Sequence, residues 1–227
     1  MQGELHAFLL VHDDNGKLLG TADEVNMAVG RAWRSRLTVH FLDGSVDDDT
    51  ATYTQSPTLH LLTDHHVQKG PSFPKPSDVS LDTASGTVTF HDLSDGAGAA
   101  TTEHMDLPAD LGNGIMPMVL QNMPRGATEL KVSYLVNAPK PRLVKFAIHP
   151  DGAAEYRVGG VARQASQVRL HVDIGGLEGL VAPLIGKQPP DMAAWLSTGD
   201  APTLLRLHLF LYLGGPMLRM ELASPQW

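Results

Sequence analysis

The 227-residue chain contains no cysteine. That excludes disulfide staples, thiolate zinc sites and a cysteine nucleophile, and leaves the redox compartment open. Basic residues are also scarce: 17 Lys and Arg stand against 25 Asp and Glu, for a formal charge of −8. They are scattered, so the basic stripe that a phosphate backbone requires is missing and nucleic acid is not an expected partner. Long apolar runs are missing too. The longest, Leu204 to Leu213, is interrupted by Arg206 and His208, so no transmembrane segment is expected. Met1 leads into Gln2-Gly3-Glu4 with no basic n-region or apolar h-region. A cytoplasmic protein and the mature form of an exported one share that pattern. No Walker loop, Gly-x-Gly-x-x-Gly, His-Glu-x-x-His or Gly-x-Ser-x-Gly occurs.

What is present is strand signal. Apolar residues make up 42% and charged residues 19%, an ordinary globular balance. Leu5, Ala7, Leu9 and Val11 alternate with polar neighbours, and Asp13-Asp14-Asn15-Gly16 then reads as a hairpin turn. Similar runs follow at 17–29, 36–42, 49–55, 58–67, 79–82, 87–91 and 101–106, and after a break at 129–136, 142–148, 155–158 and 167–174. Residues 192–196, 203–213 and 217–222 close the series, with Leu205, Leu207, Leu209, Leu211 and Leu213 on one face. Two short helices are expected: one over Pro108 to Met123, and one where Leu177, Leu180, Val181, Leu184 and Ile185 share a face. The reading is a mainly β chain, an antiparallel meander curled into a barrel or half-barrel. One domain is expected over residues 1–227, because no linker or repeat divides it.

Several segments resemble a group of uncharacterised, mostly exported bacterial proteins of unknown function. They are Asp43-Gly44-Ser45-Val46-Asp47-Asp48-Asp49-Thr50, Asp64 to Asp78, Glu103 to Pro108, Ala138 to Lys145, Gly186 to Asp191 and Leu213-Gly214-Gly215-Pro216. The layout of the second half is also similar to periplasmic lipoprotein-carrier half-barrels. The resemblance implies export, to the periplasm or beyond, and a curved sheet around a cavity. It supplies no catalytic residue.

The candidate chemistry centres on Asp64-His65-His66, where the strand from Leu59 runs into a loop stiffened by Pro71, Pro74 and Pro76. Alternation places His60, Asp64 and His66 on one face and His65 with Leu59, Leu61 and Val67 on the other. His104 and Asp106 also share a face. If those strands adjoin, Asp64, His65, His66, His104 and Asp106 form a catalytic cluster. Asp64, His66 and His104 would then be ligands for a divalent metal such as zinc, which would activate water. Against this, Asp106 equally suits a cap for the helix after it, and His60 a solvated face. A Ser72–His66–Asp64 triad is disfavoured because sequence neighbours adopt triad geometry poorly. Asp47, Asp48 and Asp49 read as a solvated turn rather than a calcium site. Phe73 is either a core anchor or, with Leu207, Leu209 and Leu211, part of the wall of an apolar ligand cavity. The expected function is therefore binding of a small-molecule or lipidic ligand by an extracytoplasmic half-barrel. Hydrolysis of an ester or phosphoester by the His/Asp cluster is the alternative.

Overall fold

The computed structural model describes residues 3–55, 57–94, 98, 100–158, 161–173 and 189–223. The first meander comprises β1 (Leu5–Asp13), β2 (Leu18–Val29), β3 (Ala32–Phe41), β4 (Val46–Thr54), β5 (His60–Lys69), β6 (Ser77–Asp82), β7 (Thr87–Asp92) and β8 (Thr101–His104). One helix, α1 (Met116–Gln121), follows. The second meander comprises β9 (Leu130–Val136), β10 (Arg142–Val158), β11 (Val161–Asp173), β12 (Met192–Ser197), β13 (Leu204–Phe210) and β14 (Met217–Leu222). Each strand pairs antiparallel with its sequence neighbours, and β14 returns to pair with β1, giving one sheet of 14 strands. The first and last strands therefore lie in its middle, and β8 and β9 are its edges.

Local chemistry explains the ladder. On β1 the side chains of Ala7, Leu9 and Val11 are buried while Phe8 is exposed. The β1–β2 turn closes because Asp13 Oδ1 accepts from the backbone N–H groups of Asn15 and Lys17, and Gly16 takes the positive φ required there. The loop from Gly70 to Pro76 is tied to the β3–β4 turn. Ser72 N–H donates to Ser45 Oγ and Ser72 Oγ–H to Asp43 Oδ2.

The sheet curls far enough for β9 to lie over the inner face of the first meander. Leu135 of β9 shares a buried cluster with Ala51, Tyr53, Leu61, Val79 and Val88, joined by Leu111, Ile115 and Met118. A larger cluster fills the remaining interior with residues of β1–β3 and β10–β14, and α1 contributes Leu120. The free edge of β9 is covered by the segment before α1. Gly112 N–H donates to Ser133 O, and the buried Asn113 carboxamide donates to Leu135 O and accepts from Leu135 N–H. Edge carbonyls and amides are thus satisfied without closing the barrel through β8.

The expected fold class is observed, with some changes of detail. Residues 142–158 form one strand with an irregularity between Pro150 and Ala153 rather than two strands. The first helix is confined to Met116–Gln121. Gly112 and Gly114 precede it, and Gly114 has φ +62°, outside helical geometry. Its N-cap is Ile115 with no side-chain cap, so Asp106 does not cap it. The second expected helix, Leu177 to Ile185, lies outside the described residues. No helix of the described residues is long and apolar enough to cross a membrane.

Candidate functional site

A β-bulge decides which residues of β5 face inward. Thr52 pairs with Thr63 but Tyr53 pairs with Leu61, so Leu62 is the extra residue. Leu61, Asp64, His66 and Gln68 consequently share the inner face. Leu61 and Asp64 are buried, whereas His65 is exposed and bonds Asp78 at 2.9 Å. This corrects the simple alternation in two places: Leu61 replaces His60 on the inner face, and His65 leaves the leucines for solvent. On the adjacent β4, Asp47 and Asp49 also point inward. Asp48 turns outward to a two-point ion pair with Arg36, at 2.9 and 2.7 Å.

These side chains form one polar cluster. His66 Nε2–H donates to Asp47 Oδ1 at 2.6 Å, and Gln68 Nε2–H donates to Asp47 Oδ2 and to Leu211 O. The Asn137 carboxamide, just beyond β9, meets His66 Nδ1 at 2.7 Å. Burial opposes a charge on His66, but the charge and hydrogen bond of Asp47, with help from Asp49 and Asp48, outweigh it and push the imidazole up to about 9. A doubly protonated ring donates at both nitrogens. It is therefore matched by the amide orientation that presents Asn137 Oδ1, an atom otherwise lacking a partner. Asp49→Leu would remove part of this support; Asp47→Asn would remove most of it. We expect Asp47→Asn to bring the His66 titration, followed by NMR of its ring protons, down towards the ordinary imidazole range. An unchanged titration would mean that Asp47 does not hold the charge.

Beside this pair lie Asp49 and Asp64. Burial raises both carboxyls. Asp64 is raised further by the charge of Asp49 and by the hydrogen bond between them, whereas the charge of His66 and the same bond favour the ionised form of Asp49. The consistent state has one proton, carried on Asp64 and donated to Asp49. Gly114 presses on this pair from above: a Cβ there would stand 2.2 Å from Asp64 Oδ1 and 3.1 Å from Asp49 Oδ1. The Tyr134 phenol is raised by burial and then by Asp49, Asp64 and Asp47, so its ring adjoins the carboxylates. It packs edge-to-face on Phe146 at 5.2 Å.

The cluster forms one wall of a partly open cavity of about 210 Å³. Opposite it are Leu37, Val39, Met116, Leu120, Leu170 and Met192, together with Leu207, Leu209 and Leu211. A second pocket of about 140 Å³ shares His66, Gln68, Tyr134 and Phe146 with it. A more open groove of about 490 Å³ holds Asp106 and Lys145, but none of the His66 cluster.

The sequence-derived residues thus divide. Asp64 and His66 meet at the cluster, and Leu207, Leu209 and Leu211 line the cavity. Leu205 leaves that face, because β13 bulges between Leu204 and Arg206, and it packs with Tyr156 and Ala165 instead. Phe73 is buried against Phe41 and Tyr212 at 5.9 and 6.4 Å, as a core anchor rather than a cavity wall. His104 is exposed on β8, three strands from β5, beside Thr87; Asp106 is exposed as well. Neither reaches His66, so the Asp64, His66 and His104 metal set is not assembled. Among the described residues no group of three or more His, Cys, Asp or Glu is arranged to hold a metal ion. Ser72 is committed to Asp43 and Ser45 and builds no triad with His66. Residues that sequence reasoning passed over are Asp47, Asp49, Gln68, Gly114, Tyr134 and Asn137. The spacing of Asp47 and Asp49, two apart at the start of β4, was the available signal.

No family model and no curated protein matches the chain. Among solved structures it is similar to a β-barrel-like protein of a domain of unknown function, DUF1849, from Brucella abortus. That similarity has a TM-score of 0.50, 9% identity and coverage of 98% of both chains. At that identity the likeness shows a shared β-barrel-like fold and nothing about activity.

Proposed function

We propose that the protein is an extracytoplasmic half-barrel that binds a small apolar or lipidic ligand in the cavity between the curled sheet and α1. The observation that carries this reading is the partly open space of about 210 Å³, whose walls are mainly Leu, Met and Phe with the polar cluster on one side. A purely structural core closes such a space, because unfilled apolar volume costs about 24 cal/mol per Å³. Export is supported by the motif resemblance described above. A neutral naphthyl dye should bind with fluorescence enhancement. Leu209→Trp, which adds bulk inside the cavity, should weaken that binding at least tenfold. Dye binding that ignores Leu209→Trp would place the dye elsewhere and remove this support.

A second reading is favoured by one observation, the neighbouring buried carboxyls of Asp49 and Asp64, of which Asp49 lines the cavity. Asp49 would take a proton from water as it attacks an ester carbonyl and return that proton to the departing alcohol oxygen, with Asp64 hydrogen-bonded behind it. Among the described residues no Lys or Arg lines the cavity, which disfavours a phosphoester. Ester turnover by the wild type that disappears in Asp49→Asn is the expected result for this reading. An inert wild type that binds dye leaves the binding reading alone.

A further inference from the structure

Around Asp47 and Asp49 the polar wall of the cavity offers mainly acceptors; the hydroxyls of Ser35 and Tyr134 and the His208 ring, the last engaged by Asp14, complete its polar lining. Both oxygens of Asp47 are engaged, by His66 and Gln68, and Gln68 spends its other donor on Leu211 O. His66 is engaged at both ring nitrogens. What is left are the Oδ1 atoms of Asp49 and Asp64, shut off from solvent and with no donor besides the one proton that the two carboxyls share. A buried carboxylate oxygen in that state is costly unless something donates to it. Gly114 covers one side of the pair with backbone; Asp49 also faces the cavity.

The charges agree with the hydrogen-bonding pattern. Three carboxyls, Asp47, Asp49 and Asp64, gather around the single imidazole of His66, so acidic groups outnumber basic ones in the cluster. Among the described residues no Lys or Arg lines the cavity to receive an anion. The rings of Tyr134 and Phe146 adjoin the same place, and aromatic faces attract cations.

We infer that the cavity selects an apolar molecule bearing one protonated amine, with the ammonium donating to Asp49 beside Tyr134 and the hydrocarbon part against Leu207, Leu209 and Met192. The inference rests on the cavity-binding reading and narrows its ligand class.

Calorimetric titration of the full chain at neutral pH with n-octylamine, n-octanol and n-octanoate tests both. The expected order is amine tightest, alcohol at least tenfold weaker, and carboxylate weakest. Octanoate or octanol binding as tightly as octylamine overturns the amine inference while leaving the cavity reading in place. If none of the three binds, the cavity reading falls and the inference with it. In Asp49→Asn the amine-to-alcohol ratio should drop to near one; an unchanged ratio overturns Asp49 as the contact. Should Asp49→Asn fail to fold, judged by its melting curve, the wild-type order decides on its own.

Discussion

Gly114→Ala should lower the unfolding free energy by about 3 kcal/mol and abolish dye binding in the cavity. Two effects add. Gly114 has φ +62°, and an alanine held in the left-handed region costs about 1 kcal/mol. The new methyl would also stand 2.2 Å from Asp64 Oδ1 and 2.6 Å from the Ala51 Cβ. Ala51 is fully buried within the sheet and Asp64 is nearly so, so neither has room to retreat, and overpacking of this kind costs about 1–3 kcal/mol. The turn before α1 would have to lift, and with it Met116 and Leu120, which line the cavity. Gly126→Ala is the internal control. It has φ +77° with nothing within 4 Å of the added methyl, so only the backbone cost of about 1 kcal/mol applies. Urea denaturation of both variants separates the terms. Equal losses would mean that the turn does not pack on the carboxylates.

The fold was readable because its information is local. Ala7, Leu9 and Val11 announce the inner face of β1, Asp13 to Gly16 the first hairpin, and nearly every later strand repeats that grammar. The site was readable only in part. Asp64 and His66 stand out as polar residues at the end of an apolar strand. Their true partners across the ladder, Asp47 and Asp49, sit beside Asp48 in a run that looks like a hydrophilic turn. It becomes two-sided only once the register of β4 against β5 is set. The bulge at Leu62 has no composition of its own, and it reverses the side on which His60 and Leu61 fall. Tyr134 and Asn137 come from the far edge of the sheet. Their approach depends on how far 14 strands curl, which is a tertiary outcome with no local code. His104 was misplaced for the same reason: its face on β8 was visible, but its distance from β5 was not.

A second buried carboxyl should make stability depend on pH in the unusual direction. Glu24 on β2 is 3% exposed between its cross-strand neighbours Ala7 and Leu37, and its Oε1 has no partner. Burial pushes its pKa up from 4.5 to about 7. A carboxyl raised by folding is neutral in the native chain over a range where the unfolded chain has already ionised. Its contribution is therefore full below about 4.5 and is lost as pH rises towards 7, with little further change above. At about 1.4 kcal/mol per unit, the loss across that window is about 3 kcal/mol. Glu24→Gln keeps the shape and removes the ionisation. Its amide brings a desolvation cost of its own, but that cost does not change with pH. The variant should thus gain about 3 kcal/mol on the wild type between pH 4.5 and pH 8, read as the pH dependence of the difference in unfolding free energy. His66 does not confuse the reading, because its own contribution, full below about 6.5 and lost as pH rises to about 9, is common to both proteins and cancels in the difference. A difference that stays flat from pH 4.5 to pH 8 would show that Glu24 reaches water in the native state.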